Sequence, residues 1–382
     1  MTNNHPNYDP NVIDPPIQIV KQPTVSINDS DIIEINDIRS SVDFRGVSFS
    51  NFKKSEVKKK FIDSMMAKNI EPACYWCAEL LCAGHYTEIW EIILYYTSKY
   101  IHLGNPKIAI YLELRYNTFR NIIGQSTIIN ELELRNDEKT RKLFAEIVCT
   151  LCLSNKKPSF EQVKIKPENA FDMTQLSGKL KAPNAEYVNE NMKPKDPKEL
   201  FIALNELSYS LSNESRNMSD AFYWIEWILE FEKTCKQKKQ LLKCEHRTYK
   251  VENKFRDNII WIVWDILLDY SKGQSNELIK KTIHSLNKLF CIKYTEGSNK
   301  KRRYLLYYSI SLLTEHVNTN VEILPNRDVL ESVTDKIETI YKQIKKNEQA
   351  PKTEYLFQGI DKKRALERSL KQMEIVNSLG NK

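Results

Sequence analysis

Residues Ala73–Tyr100 read ACYWCAELLCAGHYTEIWEIILYYTSKY, the most apolar and aromatic stretch in the first half of the chain. Its apolar residues recur every three to four positions, the spacing of helices and not of strands. Gly84 divides the stretch, as a glycine commonly closes a helix, and Thr87 is expected to cap the helix that follows. In that helix Ile89, Ile92, Ile93, Tyr96 and Tyr100 form one stripe, while Trp90, Leu94 and Ile101 add a second apolar side. Such a helix is expected to be buried nearly all round.

A diverged copy of this stretch lies in the second half. Ala73, Tyr75, Trp76 and Leu81 recur in spacing as Ala221, Tyr223, Trp224 and Leu229. Trp90–Tyr96 (WEIILYY) recurs as Trp264–Tyr270 (WDILLDY), and all six tryptophans lie in the two copies. The pattern predicts an all-α protein of two related helical bundles, a pseudo-repeat whose copies share an interface. Trp76, Trp90, Trp224 and Trp264 are the expected core anchors, with Trp76 matched to Trp224 and Trp90 to Trp264. Nine glycines in 382 residues agree with long helices and few turns.

The rest of the chain arranges itself around these copies. Residues 1–41, rich in Asn, Asp and Pro and without period, read as a disordered arm. Val42–Phe52 alternates apolar and polar residues and is expected to be a short strand or a docked extended segment. The first bundle covers 42–154. A Lys-, Pro- and Asn-rich linker covers 155–197, and the second bundle 198–316, with Asp220 as an expected helix cap and an insertion at 233–255. The tail, 317–382, holds two amphipathic segments, Asp328–Lys346 and Lys362–Leu379, on either side of Ala350–Gly359.

Composition narrows the class. The chain is 41% hydrophobic and carries a net charge of +7, which permits an acidic partner without demanding one. No run is long and apolar enough to span a bilayer, and Met1–Val12 lacks the regions of a signal peptide. A soluble, intracellular protein with no membrane contact is expected. Eight cysteines sit mostly inside apolar helical patterns, as buried reduced thiols do.

Motifs for chemistry are sparse. Cys74/Cys77 and Cys149/Cys152 have the spacing of zinc half-sites, but on predicted helix faces rather than knuckles. Cys235, Cys244 and His246 in the insertion make three of the four ligands a closed zinc site needs. No phosphate-binding loop and no nucleophile motif occurs, and Glu88/Glu91 and Glu131/Glu133 fit solvated helix faces. No catalytic residue, cofactor or metal is expected.

The basic clusters carry more. Lys53-Lys54 and Lys58-Lys59-Lys60 border the first helix, and Lys300-Lys301-Arg302-Arg303 stand at the start of the last helix of the second bundle. Cations there oppose the helix dipole, so an acidic or phosphate partner is a natural explanation. Tyr355, Leu356 and Phe357 lie between polar helices and form a second expected partner contact.

Through EPACYWCAELLCAGHY, LGNPKIAIYLELRY, LCLSNKKPSF, FDMTQLSGKLKAP, DPKELFIALNELSY and YKQIKKNEQAPKTEYLF, the chain resembles an uncharacterised helical family of nucleocytoplasmic large DNA viruses. Locally, Ala73-x-Tyr75-Trp76-x-Ala78-x-x-Leu81-x-Ala83-Gly84 with Leu103-x-Asn105-Pro106-x-x-Ala109 is similar to the helical C-terminal domain of clamp-loader-type AAA+ ATPases, without the ATPase. The first resemblance implies a viral protein, located in the host cytoplasm, the virus factory or the virion. The viral resemblance implies no particular activity, and the second implies an oligomerisation role without ATP hydrolysis; the function expected is a non-enzymatic scaffold or adaptor in virion assembly or a replication or transcription complex. The alternative is a nucleic-acid-binding accessory factor with a collar-like helical domain.

Overall fold

The structure, a computed structural model, describes residues 33–125, 131–167, 171, 176–324 and 326–349. Among these residues there is no strand, only the isolated bridges Val47–Lys53 and His102–Lys157. The chain is all-α.

The first unit is built from α1 (Lys54–Met66), α2 (Ile70–Cys82), α3 (Tyr86–Tyr96), α4 (Ile108–Gln125) and α5 (Glu138–Leu153). Gly84 ends α2 in the left-handed region at φ +75°, where the amides of Gly84 and His85 return to Leu81 and Leu80. The first turn of α3 already contains Thr87, so Thr87 does not cap it; His85 holds that position without a side-chain bond. Five residues of π-helix, Thr97–Ile101, prolong α3. Gly104 has a specific reason to be glycine. A Cβ there would lie 2.5 Å from the carbonyl oxygen of Asn155 and 2.6 Å from the amide of Lys157, so the returning linker backbone leaves no room for one.

The second unit contains α6 (Phe201–Leu211), α7 (Met218–Gln237), α8 (Ile260–Lys272), α9 (Glu277–Phe290) and α10 (Arg303–Thr314). Asn217, not Asp220, caps α7, its side chain accepting the Asp220 amide at 3.1 Å. That helix also absorbs Lys233–Gln237, so the insertion begins later than its composition implies.

The packing repeats in part. The pairs α1–α2, α2–α5, α4–α5, α1–α5 and α1–α3 recur as α6–α7, α7–α10, α9–α10, α6–α10 and α6–α8. Tyr75 and Trp76 meet edge to face at 5.1 Å and 86°, and Tyr223 and Trp224 at 5.1 Å and 84°. Trp90 and Trp264 are both buried, each with an indole N–H lacking a hydrogen-bond partner among the described residues. One expectation needs correcting. Trp224 is buried, but Trp76 is only partly so, because it lies at the rim under Phe52 and the Lys60 ammonium.

The units share one continuous core. Helix α4 packs along α9, where Thr282 Oγ donates to the Pro106 carbonyl at 3.0 Å and Ser285 Oγ to Glu113 at 2.6 Å. Helix α10 packs on the π segment, with Tyr308 donating to the Asn105 carbonyl at 2.9 Å.

Two outer segments depart from the expected domain plan. Residues 33–41, placed with the disordered arm by composition, are docked. Ile35 is buried, and Arg39 lies over the rings of Phe44 and Phe49 at 4.7 and 4.8 Å. Val42–Phe52 is a chain of turns that docks rather than a strand. The tail helices α11 (Arg327–Asp335) and α12 (Ile337–Lys345) return to the first unit, against α5 and α2. The amide of Ile38 donates to the Gln349 carbonyl at 3.1 Å, so the first and last described segments meet. Lys362–Leu379 lies outside the described residues.

Candidate functional site

The Lys300–Arg303 cluster is divided by the backbone. Ser298–Lys301 form one helical turn, Arg302 breaks it at φ −103°, and α10 starts at Arg303. The break sends the two arginines inward. Arg302 is 3% exposed and donates to Glu91 of α3 at 2.5 Å and to the Phe290 carbonyl at 2.5 Å. Arg303 donates to the buried Glu226 of α7 at 2.6 Å, beside Tyr307 and Gln162, which donate to the same carboxylate at 3.1 Å each. Burial pushes the Glu226 pKa up, against the pull of Arg303. Arg302 and Arg303 are therefore corrected from partner-binding residues to internal clasps. Their charge at the helix start is neutralised within the chain, which removes the dipole argument for them.

Lys300 and Lys301 remain at the surface and make no ion pair among the described residues. Desolvation lowers the Lys300 pKa, opposed by Glu230 and reinforced by Lys233 and Arg303. The structure brings these lysines to Lys58 of α1, from the other sequence cluster. All three border a groove of about 360 Å³ between the units, walled by Tyr95 and Tyr304 and by two carboxylates, Glu88 and Glu91, that pair with Lys54 and Arg302. Lys58 Nζ lies 5.6 Å from the Tyr95 ring centre. Lys99, from the π segment, sits among Tyr304, Tyr100 and Tyr95 at 5.2, 5.6 and 5.8 Å and pairs with Glu161 at 3.3 Å. The tyrosine faces are thus partly occupied by the chain's own ammonium groups. Tyr304 is buried, as its place in an apolar helical stripe implies. The groove offers ammonium groups on an aromatic wall, a chemistry that binds carboxylates or phosphates.

The remaining sequence candidates divide. Tyr355, Leu356 and Phe357 lie outside the described residues. All eight cysteines are free and buried. Burial raises the Cys74 pKa, with Cys77, Cys152 and Cys149 adding to the shift, and the two Cys-x-x-Cys pairs lie on the packed helices α2 and α5. No group of three or more His, Cys, Asp or Glu among the described residues is arranged to hold a metal ion. Cys244 donates to the Asn258 carbonyl at 3.2 Å instead, and His246 is exposed.

Glu91, Glu226 and Tyr95 were not among the residues singled out as partner contacts. A signal for the clasp existed, since Arg302 falls in register with the apolar stripe Leu305, Leu306 and Leu313. A cation in such a stripe needs a buried counter-charge.

No protein-family profile matches the chain, and no curated protein or solved structure is significantly similar to it. No helix of the described residues is long and apolar enough to cross a membrane.

Proposed function

We propose that the protein is a non-enzymatic helical scaffold or adaptor that takes an acidic segment of a partner protein into the groove of Lys58, Lys300 and Lys301. The observation that carries this reading is the convergence of three lysines from two units, none of them in an ion pair among the described residues, while the groove's own Glu88 and Glu91 are engaged by Lys54 and Arg302. Lys300 bears the strain most directly, because its charge is partly desolvated beside Lys233 and Arg303. An incoming carboxylate would relieve it. An acidic peptide suits the groove better than single-stranded nucleic acid, which needs open aromatic faces for stacking. Here Lys58 and Lys99 stand over the Tyr95 face and Tyr304 is buried. The resemblance to helical proteins of large DNA viruses sets the context, a virion or a replication or transcription complex.

Fluorescence anisotropy with a labelled Asp/Glu-rich peptide tests the reading, run beside duplex and single-stranded DNA over a salt series. The peptide should bind in a salt-dependent way. Changing Lys58, Lys300 and Lys301 together to Gln should weaken it roughly tenfold at unchanged Tm, since each exposed pair contributes about 0.2–1 kcal/mol. Equal binding by the variant would remove the groove from the function. DNA binding that the variant loses, with no peptide binding, would transfer the site to the nucleic-acid reading.

A further inference from the structure

Beside the Arg302–Glu91 pair, on the face of α3 that carries Tyr86, Thr87 and Trp90, lies a second cavity of about 200 Å³. Its walls are rings. Trp90 and Tyr116 meet edge to face at 5.0 Å and 88°, and Phe119 packs against Trp90 at 6.1 Å and Tyr86 at 5.5 Å. Thr87 stands exposed at the mouth. The cavity lies at the join of the units, since α3 and α4 supply its rings while Ile292, Lys293 and Arg302 come from the second unit.

Among the described residues the charge lining it has one sign, from Arg120, Lys293 and Arg302. Arg302 is committed to Glu91, and Lys293 donates to Thr87 Oγ at 3.4 Å. Arg120 is exposed and makes no ion pair among the described residues. The mouth opens beside a larger depression of about 690 Å³ that shares Tyr116, Arg120 and Lys293. Its one carboxylate, Glu113, is already held by Lys288 and Ser285 at 2.6 Å each. The field is felt inside. Burial raises the Tyr116 pKa, and both Arg120 and Arg302 pull it back.

Size limits the occupant. Sites for drug-sized ligands run to about 300–1,000 Å³, so this cavity accepts one ring system and leaves any substituent at the mouth. Aromatic walls favour a further ring placed edge to face or offset. The cationic rim favours an anionic substituent. We propose that the cavity binds a small planar aromatic acid, with the ring lying against Trp90, Tyr116 and Phe119 and the carboxylate at Arg120. This site is independent of the Lys300 groove, because Arg120 does not border that groove.

Isothermal titration of the full chain with indole-3-acetate, and with indole-3-acetamide as its neutral match, tests this. One saturable site is expected, with the acid bound about fivefold or more tighter than the amide. Arg120→Gln should remove most of that difference at unchanged Tm. Thr87→Trp, which plugs the mouth from an exposed position, should abolish binding of both probes. Absence of a saturable site for indole-3-acetate would overturn the proposal. So would equal affinity for acid and amide, an Arg120→Gln variant that keeps the preference, or undiminished binding to a folded Thr87→Trp variant.

Discussion

Arg141 in the first unit and Arg247 in the second are both buried, and they are neutralised by different means. Arg247 reaches Asp196 through two nitrogens, at 2.7 and 2.6 Å, and Asp265 at 2.8 Å, so two carboxylates close on one guanidinium. Arg141 has one carboxylate, Glu338 at 2.5 Å, and finishes its bonding with the carbonyls of Arg135 and Ile33 and the Asn136 side-chain oxygen. Its guanidinium also lies 4.0 Å above the ring of Tyr341. The difference follows from reach. Arg247 joins an insertion to a linker 51 residues away and to its own unit, whereas Arg141 draws in a tail helix 197 residues away. The second unit is closed by neighbours in sequence, and the first is completed by the far ends of the chain.

Replacing the two arginines is the strongest way to break this comparison. Arg247→Ala leaves Asp196 buried without its counter-charge and should cost about 3–5 kcal/mol. Arg141→Ala should cost less, about 1–3 kcal/mol, because Glu338 is 21% exposed and can turn to water while the two carbonyls lose a donor. Urea unfolding of both variants measures the order. A larger loss for Arg141→Ala would mean that the tail, and not the insertion, carries the more demanding closure.

The tryptophans sharpen the same contrast. Trp224 is fully buried, so Trp224→Ala should cost about 3–5 kcal/mol. Trp76, at the rim, should cost about 1–2 kcal/mol in proportion to its smaller burial. Equal losses in denaturant titrations would restore a strict equivalence of Trp76 and Trp224.

The smallest effect expected is on acid stability. Burial pushes the His102 pKa down from 6.5 to about 3, with Lys157 adding to the shift and a backbone bond at Tyr307 opposing it. A depressed folded value means that the unfolded chain takes up the proton first. His102 therefore contributes stability that is complete above pH 6.5 and is lost as pH falls from 6.5 towards 3. Burial works against the Asp196 carboxylate, but bonds from Arg247 and the Lys193 and Glu245 amides outweigh it and hold its pKa below 3.8. Its contribution is present above 3.8 and is lost as pH falls through the lower folded value. The seam at His102 should thus soften before the Arg247 clasp does. His102→Asn should show a smaller fall in urea midpoint between pH 7 and pH 5 than the parent chain. An identical fall in both proteins would remove His102 as the cause.

The helices and their buried faces were legible because periodicity is local, and the partial recurrence of α1–α5 as α6–α10 because the tryptophan spacing repeats. Charge placement was not. Lys300, Lys301, Arg302 and Arg303 are alike in sequence, yet Arg302 turns inward because Glu91 waits 211 positions away. No local pattern reports such a separation, although Arg141 and Arg302 both interrupt apolar stripes. The arm read as disordered from its Asn, Asp and Pro content, but residues 33–39 are held by bonds to Arg141, Asn136 and Gln349. Their order comes from surfaces made elsewhere in the chain.

The meeting of Ile38 with Gln349 has a consequence for synthesis. The first unit leaves the ribosome long before α12 exists, so it must wait, with its Tyr341 site open, until the second unit and the tail helices have been made. A chain whose first and last described segments meet can be reordered. Joined by a linker from residue 349 back to residue 33 and opened at exposed Gly178 between the units, it would be made with the second unit first. The tail helices would then precede the first unit, which could complete its core as it emerged.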